Sequence, residues 1–273
     1  MSIKKEASGR RSIQIEAELP GTPEEIWQAI ATGPGISSWF VPAAFEEHDG
    51  KPVAMTLDFG PGMDSRGVVT VFEEPKVFTH ESPGWFPGSP PIATEWSIEA
   101  RAGGFCVVRV VQSLFASTDD WDEQLIGSEA GWPGVLRVLR LYLEHFRGQR
   151  GAIMQVITPA SGTVAEVWSR FTAALDLQGA RTGQQWSAPA GAPALRGVVE
   201  NVSAEHPVGI LLRLDAPAPA IAALFIMEWG EAVMAASTFY VYGEHPAEVV
   251  ARVKPQWQAW VQECFPAALE PSA

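Results

Sequence analysis

One short motif occurs twice in this chain, and it constrains the fold more than any other feature. The segment Gly162–Trp168 (GTVAEVW) repeats Gly21–Trp27 (GTPEEIW) at a distance of 141 residues. In each copy a threonine precedes a glutamate by three positions, the pattern of a capping box at a helix start, and a tryptophan follows on the apolar side of that helix. Two copies of one helix start predict two related domains.

The same order of elements surrounds both copies. Residues 12–19 alternate apolar and polar side chains, as a half-buried strand does, and residues 152–158 are expected to form the equivalent strand before the second copy. Each motif is followed by strand-like segments separated by glycine and proline turns, and then by a long amphipathic helix, over residues 121–146 and 246–265. We expect Pro133 to bend or break the first of these helices. This order predicts an α+β fold in which an antiparallel, curved sheet packs against a long helix.

A polar segment at residues 148–151 separates the two halves. We therefore predict a first domain over residues 12–149 and a second over residues 150–273, preceded by a flexible arm of residues 1–11. The positive charges of the arm are typical of a solvated terminus, and they belong to Lys4, Lys5, Arg10 and Arg11.

Charge and composition argue against several classes of function. The net charge of −13 repels nucleic acids and anionic membranes on average, so we predict no nucleic-acid binding. The N-terminus lacks the apolar core of a signal peptide, and no run of about 18 apolar residues occurs, so no membrane insertion is expected. The two cysteines, Cys106 and Cys264, lie in different predicted domains. A disulfide is therefore not expected, and the reducing cytoplasm is the predicted location.

Three groups of residues in the first half stand in a characteristic order and spacing. They are Pro23–Trp27 with Ile30 and Ala31, then Ile36, Trp39 and Phe40, and finally Gly131, Trp132, Leu136, Leu139, Tyr142 and Leu143. In this order they resemble the START-like or SRPBCC superfamily. More narrowly, they resemble the bacterial family named after the C-terminal domain of the activator of the ninety-kilodalton heat-shock-protein ATPase.

The resemblance implies two tandem helix-grip domains, the first enclosing an apolar cavity between its sheet and its long helix. The second half resembles a diverged copy. It keeps the opening and closing elements, but the alanine- and proline-rich segment Trp186–Pro193 stands where a short second helix is expected. A complete second pocket is therefore not expected.

Aromatic residues are the candidate lining of the first cavity. Eleven tryptophans and thirteen phenylalanines occur in the chain, and ordinary core packing also explains each one taken alone. Trp85 differs because it lies in the turn-rich loop Ser82–Gly88, where we expect a lid over the cavity mouth. The predicted ligand-binding residues are Trp39, Phe40, Phe72, His80, Trp85, Trp96, Trp132, Leu136 and Leu139.

Ionisable groups give little support for catalysis. His80 and Glu81 are adjacent on a predicted strand and point to opposite faces, so they cannot act together in one pocket. Either one alone could face the cavity as a general base, orient a ligand, or be a hydrogen-bonded structural group. Glu95 and Arg109 are expected to pair across neighbouring strands at the surface. The five histidines are dispersed and no CxxC pair occurs, so no metal or other cofactor is predicted.

Three functional hypotheses follow, because a fold alone does not decide function. In the leading one, the first domain binds a small apolar ligand without catalysis, and the second domain supports it or contacts a protein partner. The first alternative is an enzyme of the aromatase/cyclase or hydrolase type, with His80 or Glu81 as acid or base. The second is a chaperone-associated interaction module, which requires an exposed apolar patch.

Overall fold

The chain folds into two compact units, Met1–Arg150 (the first unit) and Gly151–Ala273 (the second unit). Within the residues that the structure describes, no helix is both long and apolar enough to cross a membrane. The structure is a computed structural model, and it describes residues 3–60, 62–84, 88–203, 208–230 and 232–266.

In the described part of the first unit, eight strands form one antiparallel sheet. They lie in the order β1-β2-β8-β7-β6-β5-β4-β3, so the first long strand is a neighbour of the last one. This arrangement confirms the predicted antiparallel sheet. In chain order the strands are β1 (Lys4–Lys5), β2 (Arg10–Pro20), β3 (Ala43–His48), β4 (Lys51–Asp58), β5 (Asp64–Glu73), β6 (Val77–Ser82), β7 (Ile92–Arg101) and β8 (Phe105–Phe115).

Two short helices, α1 (Pro23–Ile30) and α2 (Gly33–Ile36), follow β2, and the long helix α3 (Asp122–His145) follows β8. The predicted capping box of α1 is confirmed. The Thr22 hydroxyl accepts the Glu25 N–H at 3.3 Å, and the Glu25 carboxylate accepts the Thr22 N–H at 2.9 Å. The long helix continues through Pro133, so of the two expected effects, a bend or a break, the break does not occur.

The second unit repeats this plan with fewer elements. Among its described residues six strands form an antiparallel sheet in the order β10-β11-β12-β13-β14-β9, so its first and last strands are again neighbours. The capping box Thr163–Glu166 opens its first helix, as predicted. The elements are β9 (Ala152–Ala160), α4 (Val164–Ala174), β10 (Gln185–Ser187), β11 (Arg196–Ser203), β12 (Gly209–Ala216), β13 (Ala220–Trp229), β14 (Ala232–Val241) and α5 (Pro246–Cys264).

The N-terminal segment is not the flexible arm that the sequence predicts. The strand β1 pairs with β2, and Arg11 on β2 is buried. Its guanidinium binds Asp119 and Asp122, each at 2.6 Å, and Lys5 binds the same two carboxylates at 3.1 and 2.7 Å. We call these four residues the ion cluster. The prediction fails because these cations have acidic partners more than a hundred residues away, at the start of α3.

Replacing Arg11 with alanine should loosen the first half of α3, because the change removes a buried guanidinium that holds both carboxylates beside the helix start. We expect amide hydrogen exchange over residues 122–132 to become about tenfold faster, measured by mass spectrometry at peptide resolution. The matched control is Arg66→Ala, which removes an exposed pair with Glu46 on distant strands. Equal exchange of α3 in the two variants would contradict this role of the ion cluster.

The interior of the second unit is filled by its own side chains. Trp257 of α5 is fully buried against Phe239 and Trp260, at ring distances of 4.9 and 5.0 Å. Its indole N–H donates to the Ser237 hydroxyl at 2.7 Å. An apolar gap between α5 and the sheet has a volume of about 10 Å³, close to the smallest space that holds a single water molecule. This gap is too small for an organic ligand.

Candidate functional site

Most of the predicted ligand-binding residues lie in the interior of the first unit. Phe40 and Phe72 are only partly buried. Trp85 lies outside the described residues, so its role as a lid stays a prediction. The buried ones are Trp39, His80, Trp96, Trp132, Leu136 and Leu139.

Four of these residues form a continuous series of ring contacts, which we call the aromatic wall. Phe40 stacks on Trp39 with ring centroids 5.6 Å apart. Trp39 meets Trp96 edge to face at 6.4 Å, and Trp96 meets Trp132 of α3 edge to face at 5.2 Å. At the outer end, Phe40 contacts the exposed Phe59 at 5.9 Å. The aromatic wall therefore connects the surface to the helix that covers the sheet.

Phe72 belongs to a second series and does not join the aromatic wall. Its ring lies 4.9 Å from Trp27 of α1 and 5.8 Å from Phe78 of β6. The ring of Phe78 in turn stacks on His80 at 5.4 Å. The second series therefore leads to His80, and the predicted lining divides into two aromatic groups.

Polar side chains interrupt the apolar face of the sheet beneath α3. The strand register places His80 of β6 opposite Thr94 of β7, and Thr94 opposite Gln112 of β8. All three are buried, and they share one face because paired residues of adjacent strands point the same way. Ser128 of α3 continues the line, since its hydroxyl is hydrogen-bonded to Gln112 Oε1. We call these four residues the polar row.

The hydrogen bonds of the polar row have a fixed direction. Trp132 Nε1 contacts Gln112 at 3.0 Å, and an indole N–H can only donate, so the Gln112 atom that faces α3 must be its oxygen. The same oxygen contacts Ser128, which must then donate its hydroxyl hydrogen as well. The Gln112 amide nitrogen consequently points to Thr94 and donates to its hydroxyl at 3.2 Å.

His80 stands at the other end of the polar row with an unused hydrogen-bonding atom. Its Nδ1 is buried without a hydrogen-bond partner. Burial lowers the pKa of His80 to about 4, so the imidazole is neutral at physiological pH. The neighbouring strand makes room for it, because a Cβ added at Gly67 would lie 3.1 Å from His80 Cδ2. Glu81 is exposed on the opposite face, which excludes it from the interior site.

The side of α3 that faces the sheet is polar in the first half of the helix and apolar in the second half. Gln124, Ser128 and Trp132 follow one another at four-residue spacing, which places them on one side of the helix. Gln124 Oε1 is a second buried atom without a hydrogen-bond partner. Beyond Trp132 the same side carries Leu136 and Leu139, which are fully buried or nearly so. The polar half of α3 therefore covers the polar row, and its apolar half completes an ordinary core.

Both units share one architecture. In each, the first long strand pairs with the last strand, and a tryptophan of the closing helix donates to a polar side chain of that last strand, Trp132 to Gln112 and Trp257 to Ser237. The chain is a tandem helix-grip protein. This confirms the predicted fold class.

No protein-family model matches the sequence, and no curated protein matches it either. Many solved structures align with this helix-grip protein, among them three at low identity. CalU16 from Micromonospora echinospora is 19% identical, with a TM-score of 0.41 over 52% of this chain and 83% of its own. The di-domain ARO/CYC BexL from the BE-7585A biosynthetic pathway is 12% identical, with a TM-score of 0.45 over 95% of this chain and 100% of its own. The Aha1 dimer from Colwellia psychrerythraea is 19% identical, with a TM-score of 0.39 over 50% of this chain and 98% of its own.

Thr94, Gln112, Gln124 and Ser128 are site residues that the sequence analysis did not select. A signal was present, because inward positions of β7 and β8 alternate strictly and are apolar apart from Thr94 and Gln112 near the ends of the two strands. Within the described ranges of the helix-grip protein, no group of three or more His, Cys, Asp or Glu side chains is placed to hold a metal ion.

Proposed function

We propose that the first unit binds a small, mainly apolar and uncharged molecule between its sheet and α3, without catalysing a reaction on it. One observation carries this proposal. His80 Nδ1 is buried without a partner in a polar row between two groups of aromatic side chains. A buried polar atom without a hydrogen bond costs about 1–3 kcal/mol, and a ligand that bonds to it would recover that energy.

Features of α3 support entry of a ligand from the side of its first half. Gly127, Gly131 and Gly134 all lie beside open space, and glycines weaken a helix interior. Pro133 removes one backbone hydrogen bond in the same stretch. The first half of the helix therefore depends on the ion cluster and on its contacts with the polar row, and it can lift more readily than the apolar second half.

A catalytic role, as in the aromatase/cyclase or hydrolase alternative, would have to use His80, since Glu81 is on the opposite face. A base with a pKa near 4 removes protons poorly at neutral pH. No described carboxylate hydrogen-bonds to His80 Nδ1 to raise its basicity. These points favour binding over catalysis.

For the second unit we propose a supporting role, because Trp257 and its neighbours fill the space under α5. A protein partner for this unit, and a cytoplasmic location for the chain, remain predictions. The two thiols, Cys106 and Cys264, are free, as a reducing compartment would keep them.

Thr94→Phe should weaken binding of a neutral apolar probe strongly, because the added ring would take the position proposed for the ligand beside the polar row. The probe is the uncharged dye PRODAN, whose emission shifts to shorter wavelength on leaving water, titrated into the full chain. The matched control is Ser97→Phe, which adds the same ring to the outer face of the same strand. We expect the wild type and Ser97→Phe to bind the dye and Thr94→Phe to show at least a tenfold loss.

Circular dichroism establishes whether Thr94→Phe is folded. Ser128→Phe, which fills the site from the helix side, serves as a second blocking variant. Unchanged dye binding in both blocked variants, or no binding by the wild type, would falsify the proposed site.

A further inference from the structure

The polar row also indicates which polar group its ligand carries, an inference that rests on the proposed function. Its starting point is the direction of the hydrogen bonds. Gln112 donates to the Thr94 hydroxyl, so Thr94 acts as an acceptor toward Gln112 and its own hydrogen remains available for donation. Directly opposite on β6 stands His80, whose Nδ1 has no partner. A donor and an unsatisfied nitrogen therefore lie side by side, yet they do not bond to each other.

A hydroxyl group satisfies both atoms. It accepts a hydrogen bond from Thr94 with one lone pair, and it can either donate to His80 Nδ1 or accept from it, whichever tautomer the imidazole adopts. An ether or carbonyl oxygen accepts only, so it fits only the tautomer with a hydrogen on Nδ1. The other unpartnered atom near the row, Gln124 Oε1, is also an acceptor and requires a donor. A hydroxyl therefore suits this pair of side chains best.

Charged groups fit the polar row poorly. Its members His80, Thr94, Gln112 and Ser128 are all neutral, and the rings that contact them are those of Phe78 and Trp132. A carboxylate or an ammonium brought to this depth would lose its hydration without meeting an opposite charge, at a cost well above that of a neutral hydroxyl. We infer that the ligand has an apolar skeleton with a neutral hydroxyl group, held between Thr94 Oγ1 and His80 Nδ1.

The test compares four probes that share one skeleton: naphthalene, 2-methoxynaphthalene, 2-naphthol and 2-naphthoate. Isothermal titration calorimetry of the full chain at pH 7.5 measures each affinity. We expect 2-naphthol to bind about tenfold more tightly than naphthalene, the value of one or two well-placed hydrogen bonds. We expect 2-methoxynaphthalene to show little of this gain and the anion 2-naphthoate to bind most weakly.

Two variants test which side chain causes the preference for 2-naphthol over naphthalene. Thr94→Val keeps the shape of the side chain and removes its hydroxyl, so the ratio of naphthol to naphthalene affinity should fall well below the wild-type value, with only the bond to His80 left. Ser97→Ala removes a hydroxyl from the outer face of the same strand and should keep the wild-type ratio.

Each outcome has a separate meaning. If naphthalene binds and 2-naphthol is no tighter, or 2-naphthoate is tighter, the hydroxyl inference is wrong while the proposed binding function stands. If none of the four probes binds, both fail. A ratio that survives in Thr94→Val would place the hydroxyl elsewhere and overturn the assignment to Thr94 and His80.

Discussion

Replacing Trp257 with alanine should lower the free energy of unfolding by about 3–5 kcal/mol, the usual cost of removing a fully buried tryptophan ring. The ring contacts Phe239 and Trp260, and its N–H donates to Ser237, so the substitution leaves a cavity and removes one hydrogen bond. Chemical denaturation followed by circular dichroism measures the change. The effect is large because Trp257 is the most deeply buried side chain of α5.

Two further variants separate the parts of this effect. Trp257→Phe keeps an aromatic ring and loses the hydrogen bond to Ser237, so we expect a smaller loss of roughly 1–3 kcal/mol. Ile126→Ala trims an exposed side chain of α3 and should change stability by less than about 0.5 kcal/mol. A loss below about 1 kcal/mol in Trp257→Ala would contradict the conclusion that the interior of the second unit is filled.

The second unit serves as an internal reference for the first. In the second unit Trp257 donates to the Ser237 hydroxyl, and that hydroxyl donates in turn to the backbone carbonyl of Val156 at 3.3 Å. In the first unit the corresponding contact, Trp132 to Gln112, continues to Thr94 and stops beside His80. In the second unit these polar atoms all have hydrogen-bond partners within the protein, whereas in the first unit His80 Nδ1 has none. This difference is the reason for assigning the ligand site to the first unit.

Local sequence signals predicted the architecture well. The repeated capping boxes fix two helix starts, since a threonine and a glutamate three residues apart satisfy each other's backbone N–H groups within one turn. Alternation along β7 and β8 identifies which side chains point inward. These signals act over a few residues, so a single sequence is enough to recognise them.

Contacts between distant segments were harder to predict. Arg109 was expected to pair with Glu95, but the register places Glu16 opposite it, and the pair forms at 2.7 Å. Lys5 and Arg11 were predicted to be solvated, but Asp119 and Asp122 lie beside them. The polar row likewise joins three strands and a helix. Strand register and helix placement depend on the packing of the whole sheet, including a bulge in β5, and no local pattern encodes them.

Between pH 7 and pH 5 the wild-type protein should lose about 2 kcal/mol of stability through His80 alone. In the folded protein burial holds the pKa of His80 at about 4, below its ordinary value of 6.5. The unfolded chain therefore binds a proton as the pH falls below about 6.5, while the folded protein remains unprotonated until about pH 4. Protons favour the unfolded state over this window, so the stability is fully present above it and decreases as the pH falls.

His80→Phe should remove this part of the pH dependence, because a phenyl ring fills a similar space and binds no proton. The quantity to compare is the difference in unfolding free energy between pH 7 and pH 5, measured by urea denaturation, so that any uniform effect of the substitution cancels. His48→Gln replaces an exposed histidine and should keep the wild-type difference, since its His80 is intact. A wild-type difference that persists in His80→Phe would mean that His80 is hydrated or paired in solution. His80 Nδ1 would then not be an unsatisfied atom, and the observation that carries the proposed binding site would be lost.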